Sequence, residues 1–216
     1  MRNEKKFLTS HFVYSETEDF LLTNKIRMVE IYQKRYINSI YFDTDDYQFF
    51  RTNVEGEHSR LKIRIRWYGD FDRIENPVLE YKIKIGEVVS KKLYPIPINQ
   101  PLKPNDISSL LKHFRASCSD KIMVEQLKYV RPTLINRYFR GYYLSEDELV
   151  RATIDDGVEY YSPESTSFFY KANATIIELK YAPENESTAV NLANTMPFRL
   201  TKNSKYVQGI SKLLWY

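Results

Sequence analysis

The stretch Arg60-Leu-Lys-Ile-Arg-Ile-Arg-Trp-Tyr68 decides the fold, because its side chains alternate between charged and apolar. This two-residue period is that of a β-strand, so four cations share one face and apolar residues form the other. The cations are Arg60, Lys62, Arg64 and Arg66, and the apolar residues are Leu61, Ile63, Ile65 and Trp67. Because adjacent like charges repel, such a face is either freely solvated or neutralised by a bound polyanion.

The same alternation recurs along the chain. Residues 78–85 carry Glu80, Lys82 and Lys84 on one face, and we expect this segment to form an antiparallel hairpin with the first strand. Further strands are predicted at 2–7, 36–44, 133–143, 149–158 and 174–181, and residues 47–51 are expected to continue as a short strand or turn. Helices are predicted at 15–28, with Ser15 as the N-cap, and at 107–114, 121–130, 184–194 and 204–214.

Composition indicates one globular domain spanning residues 1–216, since 43% of the residues are hydrophobic and 15% are aromatic. The single cysteine, Cys118, excludes an internal disulfide and fits a reducing compartment. No apolar run approaches the roughly 20 residues of a membrane span, and the first residues lack the apolar core of a signal peptide. We therefore expect a soluble, cytoplasmic protein. This expectation is compatible with a membrane-bound partner.

Positive charge is concentrated on the predicted strand faces. The net charge of +4 is modest, but eleven of the 32 Lys and Arg residues fall on these faces, against four of the 28 acidic residues. Such segregation predicts either a flat basic surface or a closed barrel with a charged interior and helices outside. The closed form requires a polyanion inside, because buried unpaired cations are strongly unfavourable. A phosphate chain with Mg²⁺ or Mn²⁺ held by carboxylates meets that need.

An ordered set of short motifs covers nearly the whole chain. The motifs are Arg2-x-Glu4-x-Lys6, Ser39-Ile-Tyr41-Phe-Asp43-Thr44, Lys62-Ile-Arg64-Ile-Arg66-Trp-Tyr-Gly69, Leu79-Glu80-Tyr-Lys82, Tyr138-Phe-Arg140, Arg151-Ala-Thr153-Ile-Asp155, Ile177-Glu178-Leu-Lys180 and Ser204-Lys205-Tyr206. This set resembles the VTC domain, the polyphosphate polymerase branch of the triphosphate tunnel metalloenzymes. The related CYTH branch begins with Glu-x-Glu-x-Lys, so Arg2 in place of the first Glu favours the polymerase branch.

The resemblance implies an α+β fold in which an antiparallel β-barrel forms a basic tunnel with helices packed outside. It also implies a single domain over residues 1–216 that transfers the γ-phosphoryl group of ATP to a growing polyphosphate chain and releases ADP. The implied cofactor is Mn²⁺ or Mg²⁺, and the implied partners are ATP and inorganic polyphosphate or triphosphate.

Site residues follow from the same resemblance. The positions that match phosphate-binding or catalytic residues of the family are Lys62, Arg64, Arg66, Lys82, Arg140, Ser204 and Lys205. Further candidates for phosphate contact are Lys6, Lys84, Arg151 and Lys180. Glu178 matches the metal ligand, and Glu4, Glu80 and Asp155 are expected to be either metal ligands or ion-pair partners.

Simpler interpretations stay open for individual residues and for the function. Glu178 could pair with a neighbouring cation, and Ser204 could be a helix N-cap. The alternatives to a polymerase are a triphosphatase of the same superfamily and a noncatalytic module that binds polyphosphate. Nucleic-acid binding is not expected, because no RNA-binding aromatic motif accompanies the cations. The absence of a Gly-x-x-x-x-Gly-Lys-Ser/Thr loop, of Gly-x-Gly-x-x-Gly and of Gly-x-Ser-x-Gly excludes those catalytic classes.

Overall fold

The computed structural model describes residues 3–10, 12–86 and 88–215, which form antiparallel strands and short helices. The strands are β1 (Asn3–Thr9), β2 (Met28–Asp43), β3 (Ser59–Tyr68), β4 (Val78–Ile85), β5 (Val88–Pro95), β6 (Arg131–Ser145), β7 (Val150–Tyr161), β8 (Phe168–Lys171), β9 (Thr175–Tyr181) and β10 (Arg199–Leu200). The helices are α1 (Tyr14–Thr23), α2 (Gln48–Glu55), α3 (Ile107–Ser117), α4 (Lys121–Gln126), α5 (Glu186–Thr195) and α6 (Lys205–Leu214). The predicted antiparallel α+β class is confirmed. Across the described ranges, no helix combines the length and the apolar character needed to cross a membrane.

The chain divides into two compact units, each with its own apolar core. The first unit comprises the described parts of Met1–Arg35, Tyr138–Val158 and Lys171–Ser204. The second comprises the described parts of Tyr36–Arg137, Glu159–Tyr170 and Lys205–Tyr216. One domain over residues 1–216 stays a prediction.

In the second unit, β2, β3, β4 and β5 are neighbours in that order. The predicted hairpin of β3 and β4 is confirmed, with Lys62 opposite Lys82 and Arg64 opposite Glu80. Residues that face each other across an antiparallel pair lie on the same side of the sheet. The register therefore collects the charged side chains of both strands on one face.

The opposite face of β3 is the core of the second unit. Ile63, Ile65 and Trp67 are buried there and pack in one cluster with Phe114 of α3 and Met123 of α4. Each large apolar side chain removed from water contributes roughly 2 kcal/mol. Helices thus cover the apolar face in this unit, as expected from the alternation.

In the first unit, β10, β1, β9 and β7 are neighbours in that order. Their apolar side chains form a second core with α1 and α5. The principal members are Phe7, Leu21, Ile154, Ile177, Leu179 and Leu192. The charged residues Glu4, Lys6, Glu178 and Lys180 lie at the alternate positions of β1 and β9.

Three local predictions are wrong. Residues 48–51 belong to helix α2, with Tyr47 as its N-cap, and do not form a short strand or turn. The Asp43 carboxylate accepts the backbone N–H groups of Phe49 and Phe50 at the start of this helix. Helix α1 ends at Thr23, and Met28 already begins β2. The N-cap of α1 is Val13 and not Ser15.

Helix α6 packs closely on the second unit. Its buried residues are Tyr206, Gly209 and Ile210. A Cβ atom at Gly209 would lie 2.4 Å from Leu134 Cδ2, so the absence of a side chain at Gly209 permits this approach.

Candidate functional site

The charged face of the second unit centres on the buried carboxylate of Glu80, which is only 3% exposed. Arg64 donates to Glu80 Oε2 from Nε at 2.9 Å and from Nη2 at 2.7 Å. Glu80 Oε1 lies 2.9 Å from Arg66 Nη1 and 3.1 Å from Lys91 Nζ. We call these four residues the Glu80 cluster. Three cations on one carboxylate leave the cluster with excess positive charge.

Electrostatics keep Glu80 ionised. Burial alone would raise the pKa of Glu80, but attraction to Arg64, Arg66 and Lys91 outweighs it and lowers that pKa to about 2. The two guanidinium groups are held by the same carboxylate, so their positions are set before any ligand arrives. Of the two roles predicted for Glu80, the geometry matches the ion-pair partner.

Sequence reasoning missed Lys91. It lies on β5, directly opposite Lys82 of β4, and its ammonium reaches the carboxylate of Glu80. Burial lowers the pKa of Lys91, although Glu80 opposes the shift. The segment Val88–Pro95 could have indicated this residue. If it pairs with β4 as a third strand, Lys91 lies on the charged face of the sheet.

Further cations face each other toward the far end of the same hairpin. Lys62 is opposite Lys82, and Arg60 is opposite Lys84. Like charges directly across two strands are destabilising on their own. A bound polyanion would offset the repulsion between these opposed cations, so this end of the hairpin is suited to binding one.

In the first unit, Glu178 is the buried carboxylate, and it is 8% exposed. It lies opposite Lys6 of β1, and Glu4 lies opposite Lys180 of β9, so the four residues alternate in charge across the two strands. Lys180 Nζ is 2.5 Å from Glu178 Oε1, and Lys6 Nζ is 3.7 Å from Glu178 Oε2. Lys6 Nζ also lies 2.7 Å from Glu4 Oε1. We call these four residues the Glu178 cluster.

The pKa values of Glu178 and Lys6 shift toward the charged forms. Burial would raise the pKa of Glu178, but Lys6, Lys180 and Arg140 hold it well below its usual range. Burial would lower the pKa of Lys6, but Glu178 and Glu4 raise it. Glu178 is therefore an ionised carboxylate, which is the form that can bind a cation.

Arg140 and Asp155 form a separate pair in the first unit. Asp155 is fully buried and accepts two hydrogen bonds from the guanidinium of Arg140, one of them from Nη2 at 2.6 Å. Burial would lower the pKa of Arg140, but Asp155 raises it well above the usual value. Asp155 thus has the geometry of an ion-pair partner and orients Arg140.

The remaining candidates lie around these groups. Arg151 of β7 is exposed and lies opposite Lys180 of β9. Lys6 Nζ donates to the carbonyl of Asn203, which directly precedes Ser204. Lys205 is the first residue of α6. Arg2 lies outside the described residues.

The residues around Glu178 fit a divalent cation that is shared with a ligand. In the part of the chain that the structure describes, no three acidic, histidine or cysteine side chains are grouped closely enough to hold a metal alone. Mg²⁺ is commonly held by one or two carboxylates together with substrate phosphates and water. The ionised Glu178, surrounded by flexible lysine side chains, can supply one such carboxylate.

Comparison with known proteins adds two findings on sequence. The family model described as the VTC domain matches residues 1–214. No curated protein is significantly similar to the chain in sequence.

Several solved structures are similar in fold. A candidate adenylyl cyclase from Hippeastrum, described as having a dominant triphosphatase activity, has a TM-score of 0.54 at 16% identity and covers 98% of this chain and 96% of its own. A candidate adenylate cyclase from Bacillus halodurans has a TM-score of 0.55 at 15% identity, covering 95% and 94%. One from Vibrio parahaemolyticus has a TM-score of 0.55 at 10% identity, covering 97% of each chain. These proteins have the triphosphate tunnel fold, which confirms the predicted fold class.

Proposed function

The chain belongs to the VTC domain family, and from this membership we propose that it is a metal-dependent polyphosphate polymerase. In this proposal it transfers the γ-phosphoryl group of ATP to a growing polyphosphate chain and releases ADP. The observation that carries the proposal is the Glu80 cluster, in which a buried carboxylate holds two arginines and a lysine in place.

The residue types suit phosphoryl transfer, which needs mainly positioning and charge neutralisation. Arg64 and Arg66 would donate charge-assisted hydrogen bonds to phosphate oxygens. Lys62, Lys82, Lys84 and Lys91 would neutralise the rest of the chain of phosphates. Lys205 would add a cation at the start of α6, where backbone N–H groups also favour an anion.

No protein base is required for the step. The terminal phosphate of the acceptor is already ionised, so one of its oxygens attacks the γ-phosphorus of ATP directly. The bond from the γ-phosphorus to the β,γ-bridging oxygen breaks, and ADP leaves with that electron pair. The catalytic side chains therefore act by holding and neutralising the two reactants.

Glu178 would hold the Mn²⁺ or Mg²⁺ ion, which supplies charge neutralisation at the phosphate oxygens. Lys180 would then shift from Glu178 toward phosphate, since its ammonium group pairs with Glu178 at 2.5 Å. Lys6 would also turn from Glu178 toward phosphate while keeping its ion pair with Glu4 at 2.7 Å. Arg140, oriented by Asp155, and the exposed Arg151 would extend the cationic surface of the first unit.

A triphosphatase is the second candidate, because the similar Hippeastrum protein is described as having a dominant triphosphatase activity. The same cations would bind triphosphate, and water would replace the polyphosphate end as the nucleophile. A binding module without turnover is the third candidate. We also propose that the protein acts in the cytoplasm, on the basis of its single cysteine.

The deciding experiment incubates the pure protein with ATP and Mn²⁺ or Mg²⁺ and resolves the products on a polyphosphate gel. A growing chain with stoichiometric ADP is the expected result. ADP and free phosphate without a chain would contradict the polymerase and select the triphosphatase. Tight triphosphate binding with no ADP would select the binding module. A reaction without metal serves as the control.

A further inference from the structure

Tyr206 connects helix α6 to the charged face of the second unit. It is the second residue of the helix, directly after Lys205, and it is 2% exposed. Its hydroxyl donates a hydrogen bond to Asp43 Oδ2. Its ring is stacked on Tyr41, with ring centroids 5.1 Å apart and an interplanar angle of 26°. The start of α6 is therefore attached to β2 by both a polar and an aromatic contact.

Asp43 is a rigid acceptor. Its Oδ1 accepts the N–H groups of Thr44 at 2.7 Å and Phe49 at 2.8 Å, and its Oδ2 accepts that of Phe50 at 2.9 Å. These bonds tie the carboxylate to the start of α2. Burial and the adjacent Asp43 raise the pKa of Tyr206, so its hydroxyl keeps the proton that it donates. The Tyr206 hydroxyl is therefore the donor and Asp43 Oδ2 the acceptor.

Tyr41 links this anchor to the Glu80 cluster. It lies directly opposite Arg64 on the neighbouring strand. Arg64 Nη1 lies 3.4 Å from the Tyr41 hydroxyl, and the guanidinium carbon is 5.9 Å from the ring centroid. The contacts are therefore continuous from the start of α6, through Tyr206 and Tyr41, to an arginine that Glu80 already holds.

We propose that Tyr206 is a positioning residue that fixes Lys205 relative to Arg64 and Arg66, so that all three cations meet one phosphate chain. The inference rests on the proposed function, in which these cations bind phosphate. In this proposal Tyr206 does not contact the ligand. It holds the start of α6 in place, so that less conformational entropy is lost at Lys205 when the ligand binds. Its loss would thus act through Lys205.

The test is a double-mutant cycle with inorganic triphosphate as the probe and calorimetric affinity as the readout. We expect Lys205→Ala to weaken binding about tenfold and Tyr206→Phe, which keeps the ring, to weaken it about fivefold. The double variant should bind within about twofold of Lys205→Ala, because Tyr206 has no separate contribution once Lys205 is gone. Asp43→Asn, which removes the charged acceptor, should show the same dependence on Lys205.

Tyr160→Phe is the matched control. The hydroxyl of Tyr160 donates to Gln208 Oε1 of the same helix at 3.2 Å, so this variant also removes a hydrogen bond to α6. It should lower the thermal unfolding temperature like Tyr206→Phe but leave triphosphate affinity within about twofold. Additive penalties in the cycle, or an equal loss of affinity in Tyr160→Phe, would overturn the inference while the wild type still binds triphosphate. A wild type that does not bind triphosphate would instead contradict the proposed function, and the inference with it.

Discussion

Glu80 and Glu178 are both buried carboxylates on the charged faces of strands, but the cations around them differ. Glu80 is held by the guanidinium groups of Arg64 and Arg66 and by one ammonium, with every contact between 2.7 and 3.1 Å. Glu178 is held by two lysines, one at 2.5 Å and the other at 3.7 Å.

The difference separates two uses of a carboxylate. A guanidinium has a rigid, planar set of donors that keeps its geometry, whereas an ammonium on a four-carbon stem can move to another acceptor. Glu80 therefore suits a structural role that orders phosphate-binding arginines. Glu178 suits a role in metal binding, because a divalent cation can replace the lysine ammonium groups beside its carboxylate. The variants that follow test this contrast.

The largest effect is expected for Glu178→Ala. Turnover in the polyphosphate assay should fall at least about a thousandfold, because the variant lacks the carboxylate proposed to hold the metal. The fold should persist, since Lys6 keeps Glu4 at 2.7 Å and Arg140 keeps Asp155. Thermal unfolding checks the fold, and Mn²⁺ titration checks metal affinity.

Glu186→Ala is the matched control for Glu178→Ala. Glu186 is also an acidic residue of the first unit that accepts from a lysine, Lys5 at 2.8 Å, but its side chain is 44% exposed. Its turnover should stay near the wild-type level. Near-wild-type turnover of Glu178→Ala would show that the metal assignment is wrong.

Arg64→Ala is expected to have the next largest effect. Loss of one guanidinium that would bind the transferred phosphate should lower turnover about a hundredfold. The domain should remain folded, because Glu80 keeps Arg66 and Lys91 as partners. Steady-state rates of Arg64→Ala should be compared with those of Arg73→Ala, which removes an exposed arginine paired with Glu75. Equal rates for the two variants would refute the role of Arg64.

Glu80→Gln should affect stability more than chemistry. The folded-state pKa of Glu80 is about 2 and its ordinary value is 4.5, so the unfolded chain takes up the proton first as pH falls. This depressed pKa contributes about 3 kcal/mol, which is fully present above pH 4.5 and is lost toward pH 2. The free energy of unfolding of the variant should therefore be about 3 kcal/mol below that of the wild type at pH 7, and the difference should be smaller at pH 3.

Urea unfolding at pH 7, 5 and 3 measures this effect. Glu125→Gln removes an exposed carboxylate that pairs with Lys128 and serves as the control. If the difference in free energy of unfolding between wild type and Glu80→Gln does not change with pH, protonation of Glu80 is not what destabilises the fold in acid. The contrast between the two carboxylates would then lose its physical basis.

Alternation was the reliable signal in this chain. It located β3 and β4 and assigned each side chain of β3 to a face, because a strand with one buried face must repeat every two residues. It did not locate α2, whose start is stabilised by a carboxylate five residues before the helix. It also left Lys91 unassigned, because β5 is exposed along most of its length and lacks a clear apolar face.

The sequence by itself determined the antiparallel α+β fold, the cationic strand faces and the family resemblance, because these depend on side-chain type and local spacing. Only the tertiary structure decided which cations share which carboxylate. Lys91 reaches Glu80 from a neighbouring strand, and Tyr206 reaches Asp43 across 163 positions of the chain. Such contacts depend on strand register and helix docking, which bring together residues that no local pattern relates.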